Sequence, residues 1–203
     1  MAQIALCDAG GPLTELIKRL ASDHGSAWLF TLKASLRHGA TAFQIWKKVR
    51  LGTFQSVGHL QNALHEQGYE TTLALLLDSI LLAQSEIEIG LVKISVEDLG
   101  FKADKPYEYI YSREEICARA TKLGFDRVPA EAAAQLRLQY PDQPLDERLH
   151  VAIETLTSKD NSYSVSSFEV HTNRNGRWLI DSATVNRDLR YTAKDLWIFT
   201  PQK

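Results

Sequence analysis

The chain has 203 residues, of which 44% are hydrophobic and 24% charged, and a formal net charge of −2. That length suits one large domain or two small ones with a sizeable core, and the near-balanced charge excludes a global preference for nucleic acid or an acidic membrane surface. Cys7 and Cys117 lie far apart and outside any C-x-x-C pair, which argues against a disulfide scaffold and a cysteine-based zinc site. Met1 to Gly11 lacks the charged start and long apolar run of a signal peptide. The longest apolar stretch, around Leu73 to Ala83, is broken by Asp78 and Ser79 and falls short of the roughly 20 residues a spanning helix needs. The expectation is a soluble, cytoplasmic protein without a membrane partner.

In chain order, Gly11-Pro12 opens a helix with Leu13, Leu16, Ile17 and Leu20 at helical spacing. Ser26 caps a second helix running through Trp28, Leu29, Leu32 and Leu36 to Gly39. Phe43 to Leu51 alternates as a strand does. Phe43, Ile45, Val49 and Leu51 fall on one side, Gln44, Trp46, Lys48 and Arg50 on the other, and Lys47 is the misfit. A helix over Ser56 to Gln67 is closed by Gly68, and a further apolar helix starts near Thr71. Glu86 to Val96 reads as a strand whose phase change near Gly90 signals a bulge or a buried central position.

Ser112-Arg113-Glu114-Glu115 is a capping box, and its helix closes at Leu123-Gly124-Phe125. Another helix begins at Pro129 and runs through Ala132, Ala133 and Leu136. Past Pro144 the pattern turns to strands, with alternation at Leu149, Val151 and Ile153, and a hairpin signal at Asn175-Gly176. Leu196 to Thr200 reads as a closing strand. The whole is expected to be α+β: a helical N-terminal half with a short strand or strands, then a C-terminal antiparallel β-meander. Residues 1–203 read as one domain, with a candidate subdivision near 100–110.

Leu136-Arg137-Leu138-Gln139-Tyr140-Pro141-Asp142-Gln143-Pro144, with Ala118-Arg119-Ala120 upstream and Val96 to Phe101 before that, resembles a bacterial protein family of about this length. That family shares an L-R-L-Q-Y-x-D-Q-P stretch after a capped helix with an A-R-A core. The resemblance covers the C-terminal two thirds and implies a compact fold without a known activity. Ala132-Ala133-Ala134 departs from it, standing where the family carries a glycine–proline pair.

P-loop, G-x-G-x-x-G, H-E-x-x-H, G-x-S-x-G and EF-hand signatures are missing, so no catalytic residue and no cofactor is assigned. Three constellations are candidates. Trp46, Lys48 and Arg50 on one strand face place a ring beside two cations, a pattern that suits nucleic acid or, more blandly, a solvated edge. Arg137, Tyr140, Asp142 and Gln143 form a proline-bracketed turn in which Arg137 either grips an anion or pairs with Asp142 or Glu147 as a staple. His150, Glu154, Glu169 and His171 supply metal-type ligands if their strands pair in register, and are otherwise solvated positions. The leading reading is a non-enzymatic binding or regulatory protein acting through a protein or nucleic-acid partner. The alternatives are a metal-assisted hydrolase using the His/Glu set and an inhibitor encoded by a mobile element.

Overall fold

The computed structural model describes residues 10–21, 44–71, 76, 79–101, 108, 110–158, 164–183 and 189–202. The chain divides into two compact units, Met1–Phe43 and Gln44–Lys203. In the first, α1 (Gly10–Leu20) occupies the expected place and starts two residues ahead of Pro12. First-turn N–H groups have no intrahelical partner, so proline is tolerated throughout that turn. The helix expected from Ser26 to Gly39 lies outside the described residues.

The second unit is built on strands, which corrects the expected architecture. β1 (Lys47–Leu51), β2 (Glu70–Thr71), β3 (Ile87–Ser95), β5 (Phe125–Asp126), β6 (Arg148–Thr157), β7 (Ser164–Asn173), β8 (Gly176–Ala183) and β10 (Leu196–Pro201) form one mixed sheet of eight strands. Its order is β1-β3-β10-β6-β7-β8-β2, with β5 paired to the end of β10. β4 (Tyr111–Ser112) and β9 (Arg190–Tyr191) make a separate two-stranded ribbon. An antiparallel meander does exist in β6-β7-β8, but strands from both halves of the chain share its sheet. β10 lies between β3 and β6, antiparallel to the first and parallel to the second. The chain is therefore not a helical half followed by a meander. Periodicity reports which residues face a core and is silent about which strands pair across a hundred residues.

Local signals held where the chemistry is local. α2 (Val57–Glu66) starts at Ser56, whose hydroxyl accepts from the His59 N–H at 3.3 Å. α3 (Arg113–Lys122) carries the expected capping box: Glu115 N–H donates to the Ser112 hydroxyl, and Ser112 N–H donates to the Glu115 carboxylate at 2.8 Å. Those bonds favour the ionised form and hold the Glu115 carboxyl below its usual range. Around Gly90 the pairing of β1 with β3 runs on in unbroken register, so no bulge is present. The phase change marks the point where β3 becomes buried on both faces, from Leu91 onward. Thr71, expected to open a helix, instead ends β2, which pairs parallel with β8.

α4 (Glu131–Gln139) packs against β1, β7 and β8, strands far apart in sheet order, so the sheet curls around it. Leu136, Ala132 and Ala133 meet Val49, Leu91, Val151, Phe168, Leu179 and Ile198 in this inner core. Each fully buried leucine or isoleucine contributes about 1.5–3 kcal/mol by leaving water.

The same helix carries polar side chains one turn apart, at Glu131, Gln135 and the half-buried Gln139, and connects each of them. Glu131, fully buried, accepts from Gly52 N–H at 2.7 Å and Ala83 N–H at 2.8 Å. Gln135 donates to Glu131 and to Thr53, and Gln139 donates to Gln135. Gln139 also accepts from Arg50 N–H at 3.0 Å and donates to Arg50 C=O at 2.9 Å, so its amide stands where the next strand's peptide group would be. Gly52 makes the first of these contacts possible. Its φ is +71°, and a Cβ there would run into the Ser85 carbonyl.

Candidate functional site

Two of the sequence candidates meet in space. Trp46 precedes β1 and hydrogen-bonds through its N–H to Leu91 C=O at 2.8 Å, while Tyr140 closes α4. Their rings stand edge to face, 5.2 Å between centroids and 82° between planes. Lys47, the misfit of the strand pattern, lies over this pair, its Nζ 4.6 Å from the Tyr140 ring and 5.9 Å from the Trp46 ring. Lys93 on β3 stands 4.7 Å from the Trp46 ring and donates to Glu147 at 2.9 Å. Trp46, Lys47 and Lys93 are half-buried and Tyr140 is buried, so the four form a firm rim rather than loose surface side chains. Burial, followed by the Glu147 charge, pushes the Tyr140 hydroxyl up to about 12, and it stays a neutral donor at physiological pH.

Lys48 and Arg50 do not join Trp46. On β1 it is Lys47, Val49 and Leu51 that turn inward, and Lys48 and Arg50 that turn to solvent. Lys48 pairs with Glu88 at 2.7 Å and Arg50 with Glu86 at 3.3 Å. This outer stripe alternates in sign and is balanced.

Arg137 is fully buried, and it pairs with neither Asp142 nor Glu147. Its guanidinium donates to the Gln143 side-chain oxygen, to Tyr140 C=O at 2.6 Å and to His171 C=O at 3.4 Å, and it lies 4.9 Å from the Tyr69 ring. Gln143, also buried, donates to Glu147 C=O at 3.1 Å and Val170 C=O at 3.0 Å. Arg137 and Gln143 thus fasten the turn to β7 through carbonyl dipoles, and burial lowers the arginine's hold on its proton. Asp142 is exposed on that turn. The L-R-L-Q-Y-x-D-Q-P stretch reads, side chain by side chain, as a fastening between α4, β1 and β7.

The His/Glu set lies on the opposite face of the sheet and only partly converges. His150 and Glu169 are register partners on β6 and β7, as are Arg148 and His171. Glu169 accepts from Arg148 at 3.2 Å, lies 3.5 Å from His171 Nδ1 and 4.0 Å from His150 Nδ1. Glu154 is not with them; it is exposed and pairs with Arg127 at 3.5 Å. His150 sits among the rings of Tyr191 and Trp197, at 4.9 and 5.3 Å. Burial, with Arg148 adding to it, lowers its pKa to about 3, so the ring is neutral near pH 7. Burial also lowers the pKa of His171 and raises that of Glu169. Among the described residues no group of three or more histidine, cysteine or acidic side chains is arranged to hold a metal ion.

Sequence reasoning missed Lys93 and left Lys47 as the misfit of a basic strand rather than placing it at the site. Lys47 carried a usable signal, since it broke an otherwise regular alternation; Lys93 carried none. An open groove of about 410 Å³ runs beside α2 between Phe54, His59 and Glu66. Among the described residues no helix is long and apolar enough to cross a membrane. Comparison of the chain with protein-family models, curated proteins and solved structures finds no match.

Proposed function

We propose that this protein works by binding rather than by catalysis, and that its partner is another protein docking on the rim of Trp46, Lys47, Lys93 and Tyr140. The observation that carries the proposal is the right-angled meeting of Trp46 and Tyr140 beneath two ammonium groups. Large rings held rigid at the edge of a core lose little freedom on contact, and tryptophan and tyrosine dominate the energetics of protein interfaces. In this reading Arg137 and Gln143 hold Tyr140 in place, Asp142 borders the contact, and Lys48 and Arg50 lie outside it. A nucleic-acid partner fits less well. Phosphate binding needs uncompensated cations in a row, and Lys48 and Arg50 are each matched by a glutamate.

Capture from the native host, with nuclease treatment, tests the proposal. The wild-type chain should retain a protein partner after nuclease. Trp46→Ala, checked for native circular dichroism, should lose it, and the double variant Lys48→Glu/Arg50→Glu should keep it. A partner that vanishes on nuclease treatment, or survives in Trp46→Ala, refutes it.

A further inference from the structure

We infer that the rim receives a carboxylate-bearing segment of its protein partner, with Lys47 as the ammonium that takes the carboxylate; this rests on the binding reading above. The charges around β1 point to it. Lys48 is matched by Glu88, Arg50 by Glu86 and Lys93 by Glu147. Lys47 has ring contacts with Trp46 and Tyr140 and no carboxylate among the described residues.

Directly behind Tyr140, Arg137 adds a second positive charge, compensated by the carbonyls of Tyr140 and His171 and the amide of Gln143 rather than by an acid. Against Lys47, Lys93 and Arg137 stand Glu147 and Asp142, the acids that act on the Tyr140 hydroxyl. Lys93 is balanced by Glu147 and Arg137 is enclosed by carbonyls, so the open positive charge of the rim is that of Lys47.

The rings strip water from one side of that ammonium without neutralising it, so its field is less screened than that of a free surface lysine. A carboxylate on the open side gains a charge-assisted hydrogen bond, and an apolar neighbour in the same segment gains the edge of Trp46. A single uncompensated charge beside aromatic surface suits an acidic residue flanked by bulky apolar ones better than it suits a run of phosphates.

The test is a titration of ¹⁵N-labelled protein with a short peptide of alternating glutamate and leucine. Saturable shifts should appear at the Trp46 indole N–H and the Lys47 and Tyr140 amides, and binding should weaken as salt is raised. Lys47→Glu should weaken it about tenfold or more, Lys47→Arg should stay within about threefold of wild type, and Lys48→Glu should change it less than about twofold. A lysine–leucine peptide should leave the rim unshifted. Equal binding of that peptide, tighter binding of oligothymidine at the same residues, no shifts with the glutamate peptide, or full affinity in Lys47→Glu would each overturn the inference. The two readings fail separately. A captured partner that depends on Trp46 but is not displaced by the glutamate peptide leaves the binding reading standing and removes the acidic segment.

Discussion

A ladder of polar side chains on α4 and a set on β10, β6 and β7 lie on opposite faces of the sheet, and the two are satisfied differently. On the inner face Glu131, Gln135 and Gln139 stand one helical turn apart, and each reaches a backbone or side-chain partner on or beside β1. On the outer face Trp197 Nε1, His150 Nδ1 and Ser167 Oγ lie buried on three neighbouring strands without a hydrogen-bond partner. The difference shows that burial of polar groups is not one phenomenon. A satisfied ladder fixes a unique arrangement of helix and edge strand, whereas on the outer face His150 is the member of the set whose proton count can change with pH, so acid acts there through one ring.

Four measurements would break or sharpen this contrast. The largest effect is expected on the inner face. Glu131→Leu removes the fully buried carboxylate that accepts from the half-buried N–H groups of Gly52 and Ala83 and from Gln135, and urea unfolding should show a loss of about 4 kcal/mol. A loss near zero would mean the ladder is decorative.

The second concerns His150. Its folded pKa of about 3 lies below the ordinary histidine value of 6.5, so in the window between them the unfolded chain binds the extra proton. Stability is then full above about pH 6.5 and falls with acidification by up to about 1.4 kcal/mol per unit, about 3 kcal/mol over the window after allowing for relaxation. His150→Phe, which keeps an aromatic ring between Tyr191 and Trp197, should flatten that slope. A slope identical to wild type would place the acid sensitivity elsewhere.

Third, Gln139→Ala should cost about 1–2 kcal/mol and speed hydrogen exchange of the Arg50 amide while leaving amides of β7 protected. The smallest effect belongs to the exposed stripe. Exchanging the charges of Lys48 and Glu88 together should leave the melting temperature unchanged, because pairs at such exposure are screened by solvent.

Legibility from sequence followed the range of the interaction. Ser112 to Glu115, the Ser56 cap and the hairpin at Asn175-Gly176 are decided within four residues, and they stand where the pattern placed them. The rim is decided by residues almost half the chain apart. Nothing near Trp46 announces Tyr140, and nothing near Arg137 announces that its partners are carbonyls rather than Asp142 or Glu147. The alternation of Phe43 to Leu51 also misled on one point. Trp46 lies just before the strand begins at Lys47, so counting it into the strand put its ring with Lys48 and Arg50, on the wrong side. The His/Glu set was half legible. Register joined His150 to Glu169, while Glu154 faces Arg127.

The place of β10 bears on how the molecule is made. Synthesis delivers β1 through β9 before Leu196 to Pro201 emerges, yet that strand occupies the seam between β3 and β6. Until it arrives, the β1-β3 pair and the β6-β7-β8 meander with β2 each present an open edge to the seam. Their union depends on contacts spanning a hundred residues, which are slow to find. A chain lacking this strand therefore exposes two unpaired edges, those of β3 and β6, rather than forming a smaller version of the fold.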